Sequence, residues 1–296
     1  RIDNSVVSNG TLKIIAKKET FTDQGQTKQY TSARLNSRFA FKYGKVEVRA
    51  KLPTGVGTWP AIWMLGKNIN EDGGYWDNNG FGTTDWPACG ETDIMEHWGS
   101  NQNYVQSALH TPSSYGGTVN LGGQVIPTAS TDFHVYALEW SPDKMVFSVD
   151  GVVHYTYDPA VKDASTWPFD AEQYLLLNVA LQSSIAPTFT QSSMEIDYVR
   201  VYQACPLSAL EKGNPQPLIY YPNPIDDELT IVLSDVGQEN INLNIYNLDG
   251  QLMKSYNQLA DCHRFTLDNL GFLPNGMYII SLRFNHRGYN FKVYKN

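Results

Sequence analysis

The chain has 296 residues, and its 30 acidic side chains outnumber 22 basic ones for a net charge of −8. That length suits one large or two modest domains, and that charge argues against nucleic acid as a partner. No stretch approaches the roughly 20 consecutive apolar residues of a membrane-spanning helix, while 7 Trp, 18 Tyr and 12 Phe supply flat amphipathic surfaces of the kind sugars stack on.

In chain order, short β-type runs come first: Thr11–Ala16, Ser32–Phe41 and Lys45–Lys51, punctuated by Asn9-Gly10 and Tyr43-Gly44. Ala61–Leu65 is a compact apolar run carrying Trp63, and Trp59 just before it reads as core packing. Asn68 to Asp85 is a long Gly/Asn/Asp loop holding Tyr75, Trp76 and Phe81. Such a loop beside a strand is more often functional than disordered.

The next stretch, Trp86 to Gly99, gathers Glu91, Asp93, Glu96, His97 and two tryptophans, Trp86 and Trp98. Thr92, Ile94 and Met95 between the acids suit a strand. On a regular strand Glu91 and Asp93 share a face because side chains alternate. Glu96 would then point into the core, where an unpaired carboxylate costs several kcal/mol or is forced neutral. One inserted residue near Ile94-Met95, a β-bulge, returns Glu96 to the face of the other two acids. Three carboxyls on one face cannot all ionise at their ordinary pH, so their protons separate. One ionised nucleophile beside one protonated acid is the arrangement of a retaining glycosidase. A bare set of alternating acids is otherwise a solvated strand face or a cation site. The flanking Trp86 and Trp98 favour the sugar reading.

Strands continue with Val105–His110, Phe133–Trp140, Lys144–Val149, Val152–Tyr157, Gln173–Leu181 and Ser193–Tyr202, with a tight turn at Asp150-Gly151. Helix signals are confined to one turn at most, near 159–165. Regular short strands with scarce helix predict an antiparallel sandwich. Residues 204–218 are rich in Pro, Gly and polar side chains and read as a linker. Beyond them, six or seven strand-like runs predict a second, small all-β sandwich over 219–296, without an acid cluster or a tryptophan. The three cysteines, Cys89, Cys205 and Cys262, fit no metal spacing. Either Cys205 pairs with Cys262 in an exported protein, or all three are free.

Glu91-Thr92-Asp93-Ile94-Met95-Glu96 resembles the E-x-D-x-x-E signature of glycoside hydrolase family 16 in its bulged, laminarinase-like form. Tyr30–Arg34, Phe41–Arg49, Gly57–Leu65, Ala108–Thr111 and Ile196–Tyr202 resemble further motifs of that family, in its order, over residues 1–203. The resemblance implies an all-β fold, a concanavalin-like jelly-roll sandwich with one concave groove, followed by the small Ig-like sandwich. It implies a retaining endo-β-1,3-glucanase cutting laminarin-type glucan, and sometimes mixed-linkage β-1,3-1,4-glucan. Agarase- or carrageenase-like galactan hydrolysis, transglycosylation, or glucan binding without catalysis are the other activities such relatives show. In this reading Glu91 is the nucleophile, Glu96 the acid/base and Asp93 the residue that tunes Glu91. Trp63, Trp86, Trp98, His110, Asn36 and Arg34 are the expected sugar contacts, and His97 is structural. No cofactor is expected for catalysis. A structural Ca²⁺ is expected on Asp197 and the carbonyl of Gly44, against the alternative of a salt bridge from Asp197 to an arginine. The family has some tens of residues before the position of Arg1, with a first strand and part of the groove wall.

Tyr221–Pro224, Ile245–Gly250, Pro274–Tyr278 and the ending Lys292-Val293-Tyr294-Lys295 resemble the C-terminal sorting domain of the bacterial type IX secretion system. That implies a secreted or cell-surface monomer whose partners are β-glucan and the export machinery. A carbohydrate-binding module is the alternative for this part.

Overall fold

The computed structural model describes residues 1–203, 219–232, 239–260, 264–284 and 287–296. Two compact units divide the chain, Arg1–Gln203 and Ala204–Asn296. The linker expected at 204–218, together with Cys205 and Cys262, lies outside the described residues.

The first unit carries strands β1 (Ser5–Ser8), β2 (Thr11–Asp23), β3 (Gln26–Thr31), β4 (Arg34–Phe41), β5 (Gly44–Lys51), β6 (Thr58–Gly66), β7 (Glu91–His97) and β8 (Tyr104–His110). After these come β9 (Leu121–Val125), β10 (His134–Trp140), β11 (Met145–Val149), β12 (Val152–Tyr157), β13 (Gln173–Leu181) and β14 (Gln191–Tyr202). An eight-stranded sheet runs β1-β2-β14-β5-β10-β11-β12 with β3 paired to β2, and a six-stranded sheet runs β4-β13-β6-β7-β8-β9. All their strand pairs are antiparallel. The two sheets form a jelly-roll sandwich.

Alternation assigns the faces. On β5, Val46, Val48 and Ala50 are fully buried; on β13, Leu175, Leu177 and Val179 join the same core. Ile62 and Met64 of β6 and Tyr136 and Leu138 of β10 complete it. Burying each such aliphatic chain is worth roughly 1.5–3 kcal/mol, which ties register to burial. The opposite residues of the six-stranded sheet, Trp59, Trp63, Tyr174, Leu176 and Asn178, therefore lie on its outer face.

The segment between β6 and β7 packs over part of that outer face. Its short helix α1 (Tyr75–Asn78) brings Trp76 to 6.2 Å from the Tyr174 ring. A small second cluster of Leu65, Ile69, Cys89, Tyr174 and Leu176 lies beneath it. Cys89 is a free, buried thiol.

The second unit holds β15 (Ile219–Tyr221), β16 (Leu229–Val232), β17 (Glu239–Tyr246), β18 (Leu252–Ala260), β19 (Arg264–Leu267), β20 (Gly276–Phe284) and β21 (Arg287–Lys295). They form a three-stranded sheet, β15-β16-β19, and a four-stranded sheet, β18-β17-β20-β21. Ile231, Ile241, Leu243, Ile245, Ile280 and Leu282 pack between them as a separate core. The small all-β sandwich expected from the sequence is present among the described residues.

Candidate active site

The acid-bearing strand β7 is central in its sheet, paired with β6 and β8. Gly90, at φ +76°, delivers the chain into it, a conformation that costs glycine little. Its register is interrupted once. On β8, Asp93 faces Ala108 and Glu96 faces Gln106; on β6, Trp63 faces Asp93 and Ile62 faces Met95. Between these pairs β7 has one residue more than either neighbour, with Ile94 as the extra one. Both Ile94 and Met95 are buried in the main core. On an unbulged strand of the same sequence Met95 would trade places with Glu96.

Two indole N–H groups mark out the carboxylates. Trp86 Nε1 donates to Glu91 Oε2 at 2.7 Å, and Trp59 Nε1 donates to Glu96 Oε1 at 2.9 Å. His110, at the end of β8, places Nε2 3.1 Å from Asp93 Oδ2 and 3.7 Å from Glu91 Oε1. Its Nδ1 accepts from the Gly116 backbone N–H at 3.0 Å. A ring nitrogen that accepts carries no hydrogen, so the neutral ring's proton is on Nε2 and points toward the two acids. The contact to Asp93 is close but poorly aligned, and Oδ2 has no aligned hydrogen-bond partner.

Glu91, Asp93 and His110 present ligand atoms within 4.8 Å of one another, a spacing that would also suit a metal ion. Metal binding through Nε2 would require the ring hydrogen on Nδ1, facing the Gly116 N–H. The backbone therefore favours a proton-sharing group over a metal centre.

Burial governs the proton affinities. Asp93 is 3% exposed, and desolvation followed by the nearby Glu91 charge raises its pKa well above the ordinary aspartate range. Burial raises Glu96 to about 8, with Asp93 adding to the shift and the Trp59 hydrogen bond opposing it. Glu91 is also raised, mainly by burial, but His110 and the Trp86 hydrogen bond pull against that. Glu91 thus has the help an ionised carboxylate needs, and Glu96 holds its proton to higher pH.

Aromatic rings border both ends of the acid row. Trp59 stacks on Trp98, with centroids 6.1 Å apart and planes 25° apart. Trp86 sits 5.8 Å from the His110 ring and 5.3 Å from Tyr115. Trp63 donates to Asn178 Oδ1 at 2.7 Å and lies under the Arg34 guanidinium at 5.1 Å. Arg34 also bonds Asn36 at 3.1 Å and pairs with Glu71 of the β6–β7 segment at 3.0 Å. The acids thus lie with His110, Trp86, Trp59 and Trp98, while Trp63, Arg34 and Asn36 form a second set on the same sheet face.

The molecule departs from the sequence-based expectation at three places. Trp59, expected in the core, is 36% exposed and bonded to Glu96. Tyr115 and Asn178 also belong to the site, although nothing in their sequence context marked them. Asp197 and Gly44, expected to share a cation, lie apart. Asp197 neighbours Tyr198, which faces Arg49, whereas Gly44 lies five residues back on β5, roughly 16 Å at strand spacing. The Asp197 carboxylate is instead paired with Arg49 at 2.5 Å. His97 is buried, with Nε2 2.5 Å from the Gln102 carbonyl, a structural place as expected.

A row of partnered carboxyls on the outer face of a jelly roll, bordered by tryptophans, defines a polysaccharide-cleaving site. Residues 3–200 match the glycosyl hydrolases family 16 profile, and the chain belongs to that family. Residues 219–296 match the secretion system C-terminal sorting domain, which marks the chain for export. A β-glucanase of Rhodothermus marinus is 40% identical over 220 residues, 69% of this chain and 71% of that protein. The crystal structure of a LamA variant from Zobellia galactanivorans, in complex with laminaritriose and laminaritetraose, is 47% identical. It superposes with a TM-score of 0.62 over 69% of this chain and 82% of that one. A laminarinase from Flavobacterium sp. UMI-01 is 39% identical, with a TM-score of 0.58 over 68% and 82% of the two chains.

Proposed function

We propose that the chain is a retaining endo-β-1,3-glucanase in which Glu91 is the nucleophile and Glu96 the acid/base. The observation that carries these roles is the contrast between the two glutamates. Glu91 accepts an indole N–H and faces the His110 Nε2 hydrogen, both of which favour its charge. Glu96 keeps its proton up to about pH 8 because of burial and Asp93.

In the first step Glu91 attacks the anomeric carbon while Glu96 passes its proton to the departing glycosidic oxygen. In the second, Glu96 takes a proton from water, and that water releases the sugar from Glu91 with net retention. Asp93, held neutral, can donate its O–H to Glu91 and release the carboxylate as charge develops. Protein groups and water supply every step, so catalysis calls for no cofactor. Trp63, Trp86, Trp98 and Trp59 offer stacking faces for successive sugars, and Asn36 and Arg34 offer polar contacts.

Similarity to a LamA structure bound to laminari-oligosaccharides supports β-1,3-glucan as the substrate. Arg34 on this face is committed to Glu71, and no Lys or Arg lies between Lys67 and Lys144. Sulfated galactans would call for cations there.

Wild-type enzyme should release reducing ends from laminarin, more slowly from barley glucan, and barely from agarose or κ-carrageenan. Glu91→Gln should lose at least about a thousandfold, the order expected for removing a covalent nucleophile. Proton NMR of the first released anomer should show the β form. An α first product, or a Glu91→Gln enzyme as active as wild type, overturns the assignment.

A further inference from the structure

Ile94, the residue that β7 inserts, has no register partner on either neighbouring strand. Such a residue's backbone groups fall outside the ladder and, when buried, need another partner. Ile94 is 2% exposed, and the donor to its carbonyl is the Ser107 hydroxyl, at 2.8 Å. Ser107 lies on β8 and is itself fully buried, on the core side of the sheet that carries the acids.

The Ser107 oxygen also lies 2.9 Å from His154 Nε2, and His154 Nδ1 lies 3.1 Å from Gln124 Nε2. The carbonyl end sets every direction in this chain. A carbonyl only accepts, so the single Ser107 hydrogen is committed to Ile94. Its oxygen must then accept from His154, which places the ring hydrogen on Nε2. Burial lowers the His154 pKa and favours the neutral ring. Nδ1 therefore accepts, and Gln124 presents an amide N–H to it. Each polar atom along the path has one compatible role.

His154 occupies a bulge of its own. On β12, Tyr155 faces Phe147 and Val153 faces Ser148, which leaves His154 as the extra residue. Gly122, opposite Ser107 on β9, leaves the room this needs: a Cβ there would sit 2.8 Å from the Tyr155 side chain. One hydroxyl thus joins the irregular residues of two different sheets.

We propose that Ser107, held by His154 and Gln124, is a positioning residue for the general acid: it fixes the bulge that carries Glu96 and so sets the aim of that carboxyl at the leaving oxygen. The inference rests on reading Glu96 as the acid. None of the three residues is linked to the carboxylates directly; they act through the β7 backbone, two residues before Glu96.

The test compares two substrates on the full-length chain: laminarin, whose leaving sugar needs a proton, and 2,4-dinitrophenyl β-laminaribioside, whose leaving group does not. Ser107→Ala should lower kcat on laminarin about tenfold, the scale of a small misplacement of a catalytic group, with KM unchanged. Its kcat/KM on the dinitrophenyl substrate should stay near wild type, and Ser107→Thr should recover laminarin turnover. His154→Leu should follow Ser107→Ala, and it carries the same comparison should the serine variant not fold. Equal losses on both substrates, or an unchanged laminarin kcat, would overturn the proposal. Glu96→Ala separates the premise from the inference. If it loses both substrates equally, the acid reading fails; if it spares only the dinitrophenyl substrate while Ser107→Ala does not, the positioning role alone fails.

Discussion

Trp59 and Trp86 each give an indole N–H to a carboxylate, yet the two glutamates hold their protons differently. Burial is the leading cause at both; what separates them is the remaining company. Glu91 has His110 beside it, while Glu96 has Asp93, which deepens its reluctance to ionise. A donor N–H stabilises the charged carboxylate, so removing one raises the pKa. Trp59→Phe should therefore move the alkaline limb of kcat/KM on laminarin, set by Glu96 at about pH 8 with Asp93 and His110 as its titratable neighbours, to higher pH. The acid limb should barely move. A pH profile of the variant checks this, and an alkaline limb that fell would show that the indole acts otherwise. The carboxylates were legible because Trp86 and Trp98 flank them and their spacing resembles a family signature. Trp59 was not, because Thr58-Trp59-Pro60-Ala61 looks equally apolar in either face assignment. Its parity is decided by the pairing of β6 with β13, where Trp59 faces Ala180.

At the scale of elements, the bulge on β7 was readable from electrostatics alone, since a regular strand would bury Glu96 in the sandwich. Burial of both Ile94 and Met95 supplies the matching apolar reason. Deleting Met95 restores a regular register and keeps Glu96 on the face of Glu91 and Asp93, because the acids are then spaced by two. Activity on laminarin should persist, and stability should drop by about 2–5 kcal/mol, the order expected for losing a large buried apolar side chain. Glu96→Ala should be inactive on laminarin but melt close to wild type. Thermal melts and laminarin assays of the two variants side by side distinguish lost packing from a missing acid; a deletion variant as inactive as Glu96→Ala would mean that the bulge itself is needed to aim Glu96. Less of the fold's edge was readable. The strand β3, Gln26–Thr31, is polar and mostly exposed, and β1 and β9 are short and carry little core. Such segments lack the alternation that marks a half-buried strand, because they bury little on either face. The family resemblance brought Asp197 and Gly44 to one cation, whereas strand register separates them.

For the whole molecule, the change of composition after residue 203 foreshadowed a division that coincides with the two compact units. The export signal was legible as local motifs, whereas the sandwich that carries them depends on pairings between distant strands, such as β16 with β19. Each unit has its own core, one built on residues such as Val48, Leu138 and Leu175, the other on Ile231, Leu243 and Ile280. All the carboxylates and rings of the proposed site belong to the first. A chain ended after Gln203 should therefore fold and turn over laminarin at close to the full-length rate per active site. Fused to the complete chain in a host with the matching secretion system, the C-terminal unit should direct export; without it, activity should stay inside the cell. Activity assays on culture medium and cell lysate read both outcomes. A truncated enzyme with unchanged turnover on short laminari-oligosaccharides but a raised KM on laminarin would instead make residues 219–296 a glucan-binding module, since only a long chain can reach a second site.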